Sequence, residues 1–242
     1  MKGITDIHCH ILYGVDDGSD SIEESIKLLE KEYTQGVENI ILTPHFHMGE
    51  CMPPKSKVLS HFQCLKEQAG KVLPQLNLYL GNEIMVCNDM VRMLNEGEIF
   101  TLADTGYVLV EFYPTVRYEE MLRYVSMLLN GGYSPIIAHV ERYQCLTKPF
   151  KKINEKNIFH LIEMGAYMQV NAYGVYGRNV KFVEKLIEKD FLHFIATDAH
   201  GIDYRTVHWN ECLNYLQKKY NDDYLKWLLV DNPKKIISEQ IF

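Results

Sequence analysis

An alternation repeated along nearly the whole chain limits what it can fold into. Short, apolar, β-rich runs are followed by segments with helical spacing. ITDIHCHI (4–11) precedes SIEESIKLLEKEYTQG (21–36), and VENIILTPH (37–45) precedes KVLSHFQCLKEQAGKVL (57–73), with Met52, Pro53 and Pro54 in the loop between. LNLYLGNEI (76–84) is the third run, and YVLVEF (107–112) leads to YEEMLRYVSMLLNGG (118–132). YSPIIAHV (133–140) leads to KINEKNIFHLIEMG (152–165), YMQVNA (167–172) to VKFVEKLIEKD (180–190), and LHFIATDAH (192–200) to YRTVHWNECLNYLQKKY (204–220). The tail, 222–242, reads as two short helical pieces split at Pro233. Such alternation predicts parallel strands covered by helices. No repeat, linker or low-complexity stretch interrupts it, so one domain over residues 1–242 is expected.

The first helix carries its own boundary signals. Ser21 can cap it, Glu24 stands three residues on, and Gly36 closes it. Its apolar positions Ile22, Ile26, Leu29 and Tyr33 recur at helical spacing.

A closed barrel is favoured over an open sheet because of where the polar residues fall. In a parallel barrel, chemistry gathers at the C-terminal ends of the strands. The first run ends with His8 and His10, on one face because strand side chains alternate. The second ends with His45, the third with Glu83, the fourth with Glu111, and the fifth with His139 followed by Glu141 and Arg142. The seventh ends with Asp198 and His200, and only the sixth ends neutral, at Asn171. Any one of these histidines would pass as a core residue bonded to backbone. Together they would repel or stay unsatisfied without cations to organise them. Mixed nitrogen and oxygen donors without thiolate suit manganese, iron or zinc, and the ligand count exceeds one ion.

Composition removes several alternatives. A net charge of −7 argues against nucleic-acid binding through a broad basic surface. No run of about 18 apolar residues occurs, so no membrane span is expected. The N-terminus MKGITDIHCH lacks a signal peptide's apolar region, which predicts a cytoplasmic protein. The six cysteines are scattered without a C-x-x-C pair, and none has arginine at C-x5-R spacing; Cys87 and Arg92 miss it by one residue. A disulfide framework and a cysteine nucleophile are both disfavoured.

The stretches DIHCHILYGVDDGSDSIEES, ILTPH, GNEI, VLVEF, IIAHVERY, FIATDAHG and DNPKKI carry a resemblance that runs from residue 4 to about residue 237. The chain resembles the polymerase-and-histidinol-phosphatase (PHP) superfamily. Within it, the chain is similar to the bacterial manganese-dependent protein-tyrosine phosphatases encoded with capsule and exopolysaccharide genes. The resemblance implies an α/β fold, a distorted TIM-like barrel of seven β/α units with a trinuclear cluster of divalent ions, Mn2+ or else Fe or Zn. It implies that His8, His10, Glu83 and Asp198 hold one ion, that Glu83 bridges to a second completed by Glu111 and His139, and that Asp17, His45 and His200 hold the third. Asp17 is preferred because it directly precedes Gly18. Asp16 stays open, with turn formation as its other role. Three departures are visible: Val140 stands where relatives often have proline, Phe46 where many carry a second histidine, and the segment NAYGVYGRN (171–179) is less standard at its centre, which bears on substrate fit rather than on metal binding.

The implied activity is phosphomonoester hydrolysis by a metal-bridging hydroxide. Arg142 and Arg205 are the candidates for gripping the phosphoryl oxygens, with Arg205 expected at the start of a helix. The implied substrate is a phosphotyrosine protein, the C-terminal tail of a bacterial tyrosine kinase that regulates polysaccharide export. Tyr13, Phe46, Tyr113, Tyr173 and Tyr176 fall in candidate mouth loops for the substrate ring. A histidinol-phosphatase-like enzyme is the nearest alternative, and a non-catalytic metal-binding module a more distant one. The first helix is a candidate contact in a homo-oligomer.

Overall fold

The parallel ring comes from runs too apolar to tolerate solvent on either face. A computed structural model of the chain describes residues 1–148 and 152–238. Its strands are β1 (Ile4–Cys9), β2 (Val37–Leu42), β3 (His45–Phe46), β4 (Asn77–Leu80), β5 (Glu83–Met85), β6 (Tyr107–Glu111), β7 (Ser134–Ile137), β8 (Thr147–Lys148), β9 (Lys152–Ile153), β10 (Tyr167–Asn171) and β11 (Phe194–Ala196). Its helices are α1 (Ile22–Thr34), α2 (Lys55–Val72), α3 (Met90–Asn95), α4 (Tyr118–Asn130), α5 (Glu155–Met164), α6 (Ala172–Tyr176), α7 (Val180–Glu188), α8 (Trp209–Leu216), α9 (Asp222–Lys226) and α10 (Asn232–Ser238).

Two parallel sheets, β1-β2-β4 and β11-β10-β7-β6-β5-β3, join into one ring. β2 runs on into β3 and β4 into β5. The breaks fall at Thr43-Pro44, where proline cannot donate to the ladder, and at Gly81-Asn82. The amide of Glu83 reaches the Pro44 carbonyl across that break (3.2 Å). On the other side, Cys9 bridges Ala199 in parallel, and the Asp198 amide donates to the His8 carbonyl at 2.8 Å. The expected (β/α)7 ring is therefore present, distorted where single strands split in two.

An apolar cluster inside the ring takes Ile7 from β1, Ile41 from β2, Leu109 from β6, Ile136 from β7 and Phe194 from β11. Ile236 of α10 joins it and stoppers the N-terminal end. A larger cluster fills the space between ring and helices.

Several local expectations need correction. α1 is capped as expected, Ser21 Oγ accepting from the Glu24 amide at 3.2 Å. Its buried face, however, is Ser25, Leu28, Leu29 and Glu32, with Ile22, Ile26 and Tyr33 at the margin. Ser25 can be buried because its hydroxyl donates to the Ile11 carbonyl. The tail passes through a π turn, Trp227–Asp231, and runs on helically into α10, with Pro233 as that helix's second residue rather than a split between two pieces. Residues 239–242 of the expected tail helix lie outside the described residues. The segment beginning at Lys152 opens as a short antiparallel hairpin, β8–β9, before α5. α3 and α6 were not anticipated, since each is shorter than two helical turns.

Candidate metal centre

The first loop after β1 folds back on the strand it leaves. A Cβ on Gly18 would lie 2.0 Å from the His10 carbonyl oxygen, so only glycine permits this return. The return sets Asp16 and Asp17 over the strand end. Asp16 binds inward, its Oδ2 2.7 Å from His10 Nδ1 and accepting from the His45 amide at 2.9 Å, while Oδ1 accepts from the Gly18 amide. Asp17 points out and over the mouth, with Oδ1 3.5 Å from both His45 Nε2 and His200 Nε2.

The predicted side chains converge. Three groups form, in each of which one donor atom per residue lies within 4.8 Å of the others: His8, His10, Glu83 and Asp198; His10, Asp17, His45 and His200; and His45, Glu83 and Glu111. Glu83 is the hinge between groups. His8 Nε2, His10 Nε2 and His45 Nδ1 each stand 3.2 Å from its Oε2, and no hydrogen bond forms there among the described residues. His139 falls outside the three groups, but its Nε2 is 2.8 Å from Glu83 Oε1 and 3.8 Å from Glu111 Oε2. It therefore reaches the two carboxylates expected to share its ion, while His45 stands closer to both than expected.

Donor chemistry favours cations here. Glu83 Oε2 and His200 Nε2 are buried without a hydrogen-bond partner. Lone pairs aimed at one another in a buried cage cost free energy unless a cation lies between them. The remaining ring nitrogens are each tied down from behind. His8 Nδ1 meets Gln169 Oε1 (3.2 Å), His139 Nδ1 the Tyr143 hydroxyl (3.3 Å), and His200 Nδ1 the Asp198 carbonyl (2.9 Å). Such partners fix ring orientation at metal sites. Backbone strain gathers at the same place, with His139, Asp198 and Arg205 at φ of 35°, 54° and 50°.

Charge follows the same geometry. Burial pushes Glu83 and Asp198 up, but His8 beside both, and Arg142 and Arg205 beside Asp198, outweigh it and hold them well below the carboxylate range. Burial pulls His10 and His45 down. Asp16 and Glu83 around His10, and Glu111 and Glu83 around His45, raise each to about 9. Burial pushes the thiols of Cys9, Cys51, Cys87, Cys145 and Cys212 up, which removes them as thiolate nucleophiles.

Both predicted arginines arrive at Asp198. Arg142 donates to Oδ2 at 2.5 Å and Arg205 to Oδ1 at 2.7 Å. Arg205 does not start a helix: α8 begins at Trp209, and Arg205 sits in a left-handed turn whose carbonyl accepts from the His200 amide. Of the candidate mouth aromatics, Tyr173 lines a pocket of about 490 Å³ beside Asp198. Tyr13 stacks on His61, Phe46 is buried, Tyr176 bonds His208, and Tyr113 bonds His47 beside a separate depression.

Sequence reasoning missed the supporting residues. Gln169 also accepts from the His139 amide and donates to Asn171, whose Nδ2 reaches Asp198 Oδ2 at 2.6 Å. Two amides two residues apart on one face of an apolar strand were the available signal.

A parallel α/β barrel whose strand ends bring histidines and carboxylates to one mouth defines a metal-centred barrel of the PHP type. A family model described as "Capsular polysaccharide synthesis, CpsB/CapC" matches residues 4–238, and the chain belongs to that family. Tyrosine-protein phosphatase CpsB of Streptococcus pneumoniae is 38% identical over 98% of this chain and 99% of its own length. Tyrosine-protein phosphatase YwqE of Bacillus subtilis is 33% identical over 97% of this chain and 92% of its own. A crystal structure from work on YwqE of B. subtilis and CpsB of S. pneumoniae, described as unique metal-dependent tyrosine phosphatases, superposes with a TM-score of 0.85. It shares 31% identity and covers 99% of this chain and 96% of that one. A phosphotriesterase from Mycobacterium tuberculosis, 14% identical with a TM-score of 0.64, shares the fold.

Proposed function

We propose that this chain is a metal-dependent phosphomonoesterase that removes phosphate from phosphotyrosine in a protein, with residues 1–242 acting as one catalytic unit. The observation that carries the reading is the meeting of three ligand groups through His10, His45 and Glu83, directly beside the carboxylate that both arginines hold. The proposed ligands are His8, His10, Asp17, His45, Glu83, Glu111, His139, Asp198 and His200, around three divalent ions. Asp17 is preferred to Asp16 because the Asp16 oxygens are already taken by His10 and two backbone amides. Manganese is the proposed metal, on the family resemblance; iron and zinc accept the same donors.

When bound, the ions supply an activated water and neutralise phosphoryl charge. The chain's own residues bind and orient. Arg142 and Arg205 each pair with Asp198 through one terminal nitrogen, and their other N–H groups can take phosphoryl oxygens. Gln169, Tyr143 and Asp16 hold the imidazoles in place. A tyrosinate leaving group, whose acid has a pKa of about 10, makes small demand on a general acid.

The proposed substrate is the phosphorylated tail of a bacterial tyrosine kinase governing capsular or exopolysaccharide synthesis, met in the cytoplasm. Among the described residues no helix is long and apolar enough to cross a membrane. The outer face of α1 is the proposed self-association contact.

The test pairs metal analysis of purified protein with manganese-supported phosphate release from a phosphotyrosine peptide and from histidinol phosphate. Faster release from the peptide is expected. Faster release from histidinol phosphate would transfer the site to small-molecule hydrolysis, and inertness with manganese would end the enzymatic reading. His139→Ala should abolish release, which a binding-only module would have no means to show.

A further inference from the structure

We infer that the groove beside Tyr113 receives an apolar side chain that neighbours the phosphotyrosine in the substrate protein, with Tyr113 and Met48 as its walls. The inference deepens the phosphotyrosine reading above and rests on it. The groove consists of two depressions, of about 370 and 480 Å³, that share Met85, Val86, Tyr113 and Tyr124. Each lies in the range of ~300–1,000 Å³ that holds small ligands.

The strands that build the cage also place the groove. His45, Glu83 and Glu111 form one ligand group, delivered by β3, β5 and β6, which lie side by side in the six-stranded sheet. Two residues beyond them come His47, Met85 and Tyr113, and all three line the first depression. Two residues of strand advance the chain by about 7 Å, so the groove is the next step outward from the ligands. Among the described residues it shares no lining with the pocket beside Asp198, where Arg142 and Arg205 stand. A phosphotyrosine whose phosphoryl group reaches the cage carries its main chain out over the rim, and its neighbours in sequence then pass the groove. This continuity with the reactive centre names the occupant as a side chain of the substrate.

The walls are apolar, exposed and already ordered. Tyr113 is 56% exposed, yet its hydroxyl is tied to His47 Nε2 at 3.1 Å. With the polar end occupied, the ring face is what Tyr113 offers. Met48, 42% exposed, sits in a tight hairpin in which the amides of His47 and Cys51 each donate to the other's carbonyl at 2.8 Å. An unbranched thioether adapts to side chains of different shape. Met85 and Tyr124 are buried below, and the Tyr124 ring is held by the Arg123 guanidinium at 4.0 Å. Exposed aromatic and methionine side chains gathered at one groove mark a contact surface, whereas scattered ones do not. The charged residues that line the groove, Asp89, Arg117 and Glu120, carry both signs, so apolar contact rather than net charge makes the selection.

The experiment uses the manganese-loaded full chain and phosphotyrosine peptides that differ only in the residues flanking the phosphotyrosine, which are leucine, phenylalanine or serine. Wild type should favour leucine and phenylalanine over serine by about tenfold in kcat/KM, as partial burial of one apolar side chain predicts. In Tyr113→Ala the preference should shrink to about twofold, mainly through KM. Met48→Ser should lower it part of the way. Tyr113→Phe keeps the ring and loses only the tie to His47, so it should keep most of the preference. Phe159→Ala removes an exposed aromatic on α5, outside the groove, and should keep the wild-type ratio. All three peptides use the same ions, so a variant that merely disturbs metal binding lowers every arm alike and leaves the ratio unchanged. An equal loss on all peptides in Tyr113→Ala would therefore overturn the groove, as would active wild type that turns over the three peptides equally, or an equal shift in ratio in Phe159→Ala. Wild type inert on every phosphotyrosine peptide would overturn the underlying reading as well.

Discussion

Leu109 and Glu111 stand two residues apart on β6, facing the same way. Leu109 joins Ile7, Ile41, Ile136 and Phe194 in the apolar filling of the ring, under the stopper of α10. Glu111 meets His45 and His139 at the mouth. Ala196 and Asp198 repeat the contrast along the seventh run. The histidines divide the same way. His193, at the stoppered end, packs against Tyr167 and accepts from the Met168 amide, and burial lowers it to about 4. His10, at the mouth, is raised to about 9 because Asp16 and Glu83 outweigh the same burial. One end of each strand thus contributes hydrophobic burial, complete without any ligand. The other end gathers donors that stay frustrated until cations join them. Stability and chemistry are separated by about two residues of strand, close to 7 Å.

The contrast breaks most sharply at Glu83, which touches four imidazoles. Glu83→Gln should cut phosphatase turnover by about a thousandfold or more, since it removes a donor common to two ligand groups, while circular dichroism stays native. Retained turnover would mean that the cage is not the reactive centre. Leu109→Ala should do the reverse. It should cost about 2–5 kcal/mol of unfolding free energy, read from denaturant curves, and leave turnover well below the melting range within a few-fold. Gln169→Ala lies between these. It frees the rings of His8 and the backbone of His139 without touching the ions, so metal affinity or activity should fall about 10–100-fold, and added metal should restore part of it.

The barrel and its mouth were readable from sequence because they obey simple periods. Seven apolar runs, six of them ending in histidine or a carboxylate, place His8 and Asp198 at one rim by strand alternation alone. The supporting residues do not announce themselves in that way. Gln169, Asn171 and Tyr143 are neutral; Gln169 and Asn171 act on His139 and Asp198, more than twenty residues away in sequence, and Tyr143 holds His139 from a turn that no strand period marks. The α1 stripe was misplaced because its buried face includes Ser25 and Glu32, which a hydrophobic period scores as exposed. Burial and the adjacent Asp6 push the Glu32 carboxyl well up, so it can sit in the core uncharged. Arg205 was put on a helix because the apolar pattern of α8 extends back to Val207, which is buried from a loop.

The two kinds of histidine predict opposite limbs in a stability–pH curve of the chelated protein. His193 has its folded pKa depressed below 6.5, so its neutral burial stabilises fully above that value, and the benefit is lost as pH falls toward about 4. The loss should be on the order of 2–3 kcal/mol. His10 and His45 have raised folded pKa values, so their ion pairs stabilise fully below 6.5 and fade as pH rises through about 9. Manganese should reverse the alkaline limb, because metal requires those imidazoles neutral and binds more tightly as pH rises. His193→Asn, which keeps an acceptor for the Met168 amide, should flatten the acidic limb alone. Coupled changes in both limbs would show that the two ends are not independent.

The smallest effect is expected where the two ends meet the helices. Ser21 caps α1 immediately after the loop that carries Asp16 and Asp17. The loop has its own ties: the Ser25 hydroxyl reaches Ser19 Oγ at 3.0 Å, and the Ser19 amide donates to the His10 carbonyl at 3.1 Å. Ser21→Ala removes only the cap to the Glu24 amide, so it should cost about 1 kcal/mol of stability. Turnover should change less than twofold or so, because Asp17 is positioned by Gly18 and the serine ties rather than by the helix end. A loss of activity much larger than the loss of stability would show that the helix end helps to aim Asp17, and the separation between fold and chemistry would then fail at this loop first.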